Sequence, residues 1–171
     1  INLEKFKPGS CDQTSGKATY EYVTRAIDAC IGKQVDAVTT CPANKEALQL
    51  AGVKHPGHTE IFAERTGTNK FCMAFISKKI SCSLATVHVG YSEVPAQLST
   101  ERIYDVIDLT RNTHRQLLGR EPRIAVCGLN PHAGENGIFG NGEEESIILP
   151  AIRKVQREGG DLEGPLPADT A

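Results

Sequence analysis

Arg123-Ile-Ala-Val-Cys127-Gly-Leu-Asn-Pro-His132-Ala-Gly-Glu135 joins a short apolar run to a turn rich in Gly, Pro and Asn that carries a histidine. The run reads as a buried strand. A loop that follows a strand of an open α/β sheet lies at the carboxyl edge, where such sheets bind ligands. His132, one of five histidines in the chain, therefore stands where chemistry is expected.

Downstream of this stretch, Glu143, Glu144 and Glu145 fall in the first turn of a helix expected to carry Ile147, Ile148, Ala151, Ile152 and Val155. Negative charge at a helix start suits the macrodipole, and that ordinary role is the reading given to the acidic run. Gly137, Gly140 and Gly142 lack the spacing of a dinucleotide fingerprint, and a flexible lid is as natural a use for them. A last strand is expected over 161–164. Upstream, Ile103, Val106, Ile107, Thr110 and Leu117 mark an amphipathic helix over 100–118, and Pro122 introduces the strand at 123–127.

Apolar runs at 71–76 and 80–89 are separated by Ser77-Lys78-Lys79, a link short enough for an antiparallel hairpin, with two independent strands as the alternative. Nearer the start, Ala18, Tyr22, Ala26, Ala29 and Cys30 recur at helical spacing between Gly16 and Gly32, and 35–40 reads as a strand. Asn44 is placed to cap a short helix through Leu50 that Gly52 ends. A further helix is expected over 59–65, closed by Gly67, while residues 1–15 read as a loop or an entering segment. Strands alternating with helices predict an α/β architecture.

The 171 residues suffice for a core of their own. A formal charge of −2 with scattered Lys and Arg argues against nucleic acid, which needs a concentrated basic face. No apolar run is long enough for a membrane span, and nothing at the start resembles a signal peptide. The first residue is Ile1 rather than Met, which reads as an excised piece or a missing start. Six cysteines without a CxxC pair read as buried free thiols in a reducing cytoplasm.

Six positions are candidates for chemistry. His58 and Thr59 follow Pro56-Gly57 at a helix start, where backbone amides attract anions; the competing reading makes Thr59 a cap and His58 a turn residue. His88 ends an apolar run, and it shares a sheet edge with His132 if their strands are neighbours. Neutral imidazole is a common ligand of divalent metals, although a histidine in a β-run is more often structural. Lys45 and, with less support, Asp169 are placed to meet an anionic ligand at that edge; a solvent lysine is equally ordinary at position 45. His55 and His114 are read as exposed and without a role.

Taken together these segments resemble the 4-hydroxythreonine-4-phosphate dehydrogenase family of pyridoxal phosphate biosynthesis. The likeness rests on Val35-Asp-Ala-Val-Thr-Thr-Cys-Pro-Ala-Asn-Lys-Glu-Ala-Leu48, Pro56-Gly-His-Thr-Glu-Ile-Phe-Ala-Glu-Arg-Thr-Gly67 and Leu84-Ala-Thr-Val-His88. It continues through residues 123–135, Ile148-Leu-Pro-Ala-Ile152 and Gly164-Pro-Leu-Pro-Ala-Asp-Thr170, in family order over nearly the whole chain.

The resemblance implies an isocitrate/isopropylmalate-dehydrogenase-like three-layer α/β fold, present here in part. Residues 1–171 would form a single α/β segment, the central portion of a longer two-domain enzyme roughly twice this length. It implies a cytoplasmic homodimer that uses NAD and a divalent metal ion (zinc, magnesium, manganese or cobalt). The reaction would be the oxidation, with decarboxylation, of 4-phosphooxy-threonine. By matching positions, His58 and Thr59 would bind substrate, and His88 and His132 would supply two of the metal's three histidines. The third family histidine follows Pro-Ala-Asp-Thr, past Ala171, so the fold is expected to continue and the segment alone to be inactive.

Val87-His88-Val89-Gly90 and Ile138-Phe-Gly-Asn-Gly-Glu143 depart from the biosynthetic pattern. They leave open threonate or erythronate 4-phosphate, or a diol carboxylate, as substrate. A different class of reading is a catalytically incomplete dimerising or metal-binding fragment.

Overall fold

The computed structural model describes residues 8–55 and 57–171. The chain forms two compact units, one running to Asn69 and the other from Lys70 to Ala171.

The first unit is helical. Helix α1 spans Gln13–Ile31, and its start is fixed by Asp12, whose side chain accepts the Ser15 N–H at 2.8 Å in a reciprocal capping box. Helix α2, Lys45–Leu50, is capped by Asn44 as its sequence predicts. Helix α3, His58–Thr66, ends on Gly67 in the left-handed conformation. The apolar cluster joins Val23 and Ile27 of α1 to Ile61 of α3. The buried face of α1 runs through Gly16, Ala18, Val23 and Ile27, so the stripe expected through Tyr22 is displaced and Tyr22 is exposed. Gly16 carries the α1–α2 contact, because a Cβ there would run into the Ala47 carbonyl.

Residues 35–40 do not form the expected strand. Val-Asp-Ala-Val-Thr-Thr has strand composition, but a strand exists only by pairing, and among the described residues no other segment pairs with it.

In the second unit, β1 (Met73–Phe75) and β2 (Cys82–Leu84) form the expected antiparallel hairpin, shorter than its two apolar runs. A 3₁₀ turn at Tyr91–Glu93 and a short helix, α4 (Val94–Gln97), lead to α5, Thr100–Leu118, whose bounds match the apolar period. Ser99 caps it by accepting the Arg102 N–H at 3.0 Å, and Gly119 ends it at φ 66°. Ile103, Val106 and Ile107 are buried as expected, but Leu117 is exposed. Arg111, only 5% exposed, takes an inner position by pairing with Glu121, which also binds Arg115.

Strand β3, Arg123–Cys127, is parallel to β4, Asp161–Leu166, and α6, Leu149–Arg157, crosses between them after a π-helical turn at Glu144–Ile148. Parallel strands require such a crossover, and this one gives a βαβ unit. Ile103 and Ile107 of α5 pack with Ile148, Ala151, Ile152, Val155 and Leu162 as the core. Only one face of β3 is covered: Ile124 and Val126 are half-buried, whereas Arg123, Ala125 and Cys127 are exposed. The strand is therefore two-faced rather than buried throughout. The six cysteines are free, as expected, but none is buried: Cys41, Cys82 and Cys127 are exposed and the others half-buried.

Among the described residues no helix is long and apolar enough to cross a membrane. The mixture of helices with parallel and antiparallel strands is an α/β fold.

Candidate functional site

His132 sits immediately beyond the carboxyl end of β3, on a backbone turn of unusual hand. Residues 132–136 have φ values of 54°, 52°, 78°, 42° and 56°, a full turn in the left-handed region. Each L-residue held there costs about 1–2 kcal/mol, so the turn persists only where its surroundings impose it.

The surroundings are a buried carboxylate cluster. Glu144 is 1% exposed. Its Oε1 accepts the Asn130 backbone N–H at 2.8 Å, and its Oε2 accepts the Asn130 side-chain amide at 3.0 Å. The same amide donates to Glu143 Oε2 at 3.0 Å, and Glu143 also accepts the Asn141 backbone N–H at 2.7 Å. Gly134, at φ 78°, lies directly over this cluster: a Cβ there would come within 2.8 Å of Glu144 Oε2, so glycine is needed both for the angle and for the space. The Asn130 carbonyl accepts the Ala133 N–H at 3.1 Å, and the Gly134 carbonyl accepts the Phe139 N–H at 3.1 Å. The acidic run stands in the first turn of a helix as expected, and Glu143 and Glu144 in addition lie beneath the His132 turn.

These contacts set the charge state of the cluster. Burial pushes the Glu144 carboxyl upward, but the backbone N–H and amide of Asn130 outweigh it and hold the group below the usual carboxylate range. The Asn141 N–H and its own backbone N–H hold Glu143 low in the same way. Both groups are ionised at neutral pH and face hydrogen-bond donors.

His132 itself is exposed, with Phe139 the nearest ring at 6.2 Å between centroids. His88 is also exposed and also left-handed, at φ 57°. It does not end a strand as expected, because β2 stops at Leu84 and His88 lies in the loop beyond it. Arg102 fixes one side of that loop, donating from Nε to the Ala85 carbonyl at 2.9 Å and from Nη1 to the Phe71 carbonyl at 2.8 Å. Glu93 fixes the other side by accepting the Gly90 N–H at 2.9 Å.

Both imidazoles are chemically apt for a divalent ion: exposed, on loops, with held backbones. Among the described residues no group of three or more His, Cys, Asp or Glu side chains is gathered for one. Among the described residues β2 pairs with β1 and β3 with β4 in separate sheets, so the sheet edge expected to join His88 and His132 is not formed.

In the first unit, His58 and Thr59 occupy the first turn of α3. Gly57 is the cap and offers no side-chain acceptor, so Thr59 is not the cap. The Nε2 of His58 and the Oε2 of Glu60 are buried with no hydrogen-bond partner among the described residues. Unsatisfied amides and an imidazole suit an anion, while the Glu60 carboxylate opposes one unless it turns away. Lys45 is exposed in the first turn of α2, and Asp169 is exposed in the second unit beyond β4.

His55 and His114 are not simply exposed. His55 pairs with Glu64 at 2.7 Å, and His114 Nδ1 lies 3.0 Å from the Thr110 carbonyl. Asn130, Glu143 and Glu144 are the site residues that pattern reading missed. Their signal was an acidic pair directly after a glycine-rich loop, at the distance where a loop can fold back on it.

The family model described as pyridoxal phosphate biosynthetic protein PdxA matches residues 1–171. The chain is 44% identical over 163 residues to a 4-hydroxythreonine-4-phosphate dehydrogenase of Trichlorobacter lovleyi, covering 95% of this chain and 48% of the relative. It is 41% identical over 162 residues to a D-threonate 4-phosphate dehydrogenase of Cupriavidus necator, covering 95% and 49%. A crystal structure of 4-hydroxythreonine-4-phosphate dehydrogenase from Klebsiella pneumoniae superposes with a TM-score of 0.86 at 36% identity, over 98% of this chain and 50% of that one. The chain thus spans about half the length of the curated relatives it matches. With a match from its first residue to its last and relatives named as dehydrogenases, the chain belongs to the pyridoxal phosphate biosynthetic protein PdxA family, a family of oxidoreductases.

Proposed function

We propose that the chain is the central, metal- and substrate-binding portion of a longer two-domain enzyme that oxidises 4-phosphooxy-threonine with NAD, with decarboxylation of the product. The enzyme is a cytoplasmic homodimer with an isocitrate/isopropylmalate-dehydrogenase-like three-layer fold, and the segment alone is inactive. The observation that carries this reading is the left-handed His132 turn, a costly conformation held by a buried polar cluster in a chain whose relatives are named dehydrogenases.

His88 and His132 bind a divalent ion through neutral imidazole nitrogens; zinc, magnesium, manganese and cobalt are all compatible with these donors. That ion, when bound, supplies Lewis-acid polarisation of the substrate's hydroxyl and carboxylate oxygens, and NAD supplies the hydride acceptor. His58 and Thr59, with the open amides at the start of α3, hold the substrate's phosphate, and Lys45 adds a cationic contact.

A second reading keeps the site and changes the substrate to threonate or erythronate 4-phosphate. It is supported by the D-threonate 4-phosphate dehydrogenase relative, whose identity of 41% is close to that of the 4-hydroxythreonine-4-phosphate dehydrogenase. A diol carboxylate is a third substrate class, and a non-catalytic dimerising or metal-binding fragment is the contrasting reading. NAD reduction by the full-length protein, measured with each phosphorylated acid and with an unphosphorylated diol carboxylate, separates them. Preference for the unphosphorylated diol would remove the phosphate role of His58 and Thr59, and no NAD reduction with any of them would favour the fragment.

A further inference from the structure

We propose that Asn130 and Glu144 are positioning residues for His132: their hydrogen-bonded pair, a half-buried amide on a buried carboxylate, sets the affinity for a divalent ion without touching it. The proposal rests on the reading of His132 as a metal ligand.

Three observations carry it. First, the carboxylate is spent on the residue two positions before His132, taking both the backbone N–H and the side-chain amide of Asn130. Two bonds from one carboxylate fix the chain direction as it leaves Asn130, which one bond would leave free to pivot. Second, the turn is shaped around this carboxylate. Gly134 sits on Glu144 Oε2, and Gly128, at the entry to the turn, has a Cβ position 3.1 Å from Glu144 Oε1 and 2.8 Å from the Ala133 Cα. Gly140, where a Cβ would meet the Asn130 amide and Glu143, closes the far side. Third, the turn is intrinsically unfavourable for His132, Ala133 and Glu135, and the Asn130–Glu144 pair lies directly against it at Gly134. Side chains that orient metal ligands from outside the ligand shell are worth about 10–100-fold in metal affinity.

The pair is not itself a cation site. Each of the four carboxylate oxygens of Glu143 and Glu144 already accepts at least one N–H from Asn130 or Asn141.

The test is Glu144→Gln in the full chain. Gln keeps the volume and one acceptor oxygen but turns an NH₂ group toward the Asn130 amide, so the double contact is lost. Zinc and manganese, each added alone without substrate or NAD, are titrated calorimetrically, and unfolding of the metal-free protein is followed in parallel. The expected result is a folded protein with metal affinity weakened by about tenfold or more.

Metal affinity within twofold of the parent in a folded Glu144→Gln protein would overturn the proposal. If Glu144→Gln does not fold, Asn130→Ser decides by the same criterion, since it keeps the backbone bond and removes the amide. Failure of both variants to fold would also count against the proposal, as the pair would then be a determinant of folding and not of ligand placement. His132→Ala, titrated alongside, separates the two readings: unchanged metal affinity there would remove the ligand assignment itself.

Discussion

Arg102 grips the backbone three residues before His88, its guanidinium binding the Ala85 carbonyl at 2.9 Å while a second nitrogen binds the Phe71 carbonyl at 2.8 Å. One side chain on α5 thus ties both ends of the β-hairpin, and through Ala85 it fixes the loop that carries His88. Replacing Arg102 by Met keeps the aliphatic stem and removes both bonds. Two carbonyls then lose a charged donor, and the expected cost is about 2–4 kcal/mol in urea unfolding. Metal affinity should fall with it; a destabilised protein with parental metal affinity would show that the His88 loop does not depend on Arg102.

His88→Ala and His132→Ala should each abolish metal-dependent turnover and bound metal in the full-length protein while leaving the fold intact. Both rings are exposed, so their removal opens no core cavity. Metal analysis after gel filtration, with circular dichroism as the control, checks this; full activity and metal content in either variant would strike that residue from the ligand set.

Glu121 links acid stability to α5. The Arg111 guanidinium hydrogen-bonded to it holds its carboxyl below the ordinary value, burial working against this and Arg115 adding to it. The folded-state pKa is depressed, so the stabilising contribution is present above the unfolded-state pKa and is lost as pH falls through the folded one. Glu121→Gln should therefore flatten the loss of stability as pH falls below the ordinary carboxylate range. Urea midpoints across that range, compared with the parent, measure the difference, and parallel curves would show that Glu121 does not contribute to it.

Gly16→Ala should destabilise the first unit, against the usual preference of helices for Ala by about 1 kcal/mol. The added methyl would meet the Ala47 carbonyl, forcing α1 from α2. Overpacking of this kind costs about 1–3 kcal/mol. A rise in thermal midpoint would show that the helices separate freely.

Sequence legibility followed the physics of each element. The helix over 100–118 and the strand over 123–127 were readable to the residue, because an amphipathic period marks the first and Pro122 introduces the second. The 35–40 segment was misread because strand composition describes one partner of a pair, and its partner is not written in its own residues. The roles of Glu143 and Glu144 were hidden for a different reason: helix-dipole logic sees a charge and its position along the axis, not a loop folded over it. Leu-Ala-Thr-Val-His88-Val looks like continuous strand, and nothing in those letters announces a left-handed His88. The choice of His58, Thr59, Lys45, His88 and His132 came from family resemblance joined to residue chemistry. The chain belongs to the family its motifs resemble.

The left-handed turn at 132–136 makes the histidine it carries a two-position component. Left- and right-handed backbone regions are separated by forbidden dihedral space, so His132 has no continuous path of small displacements away from its place. Damage to the support beneath it should divide molecules into competent and incompetent populations, each with its own intrinsic affinity, instead of loosening every copy a little. Weakened variants would then keep the intrinsic affinity of the competent form and lose apparent affinity in proportion to its population.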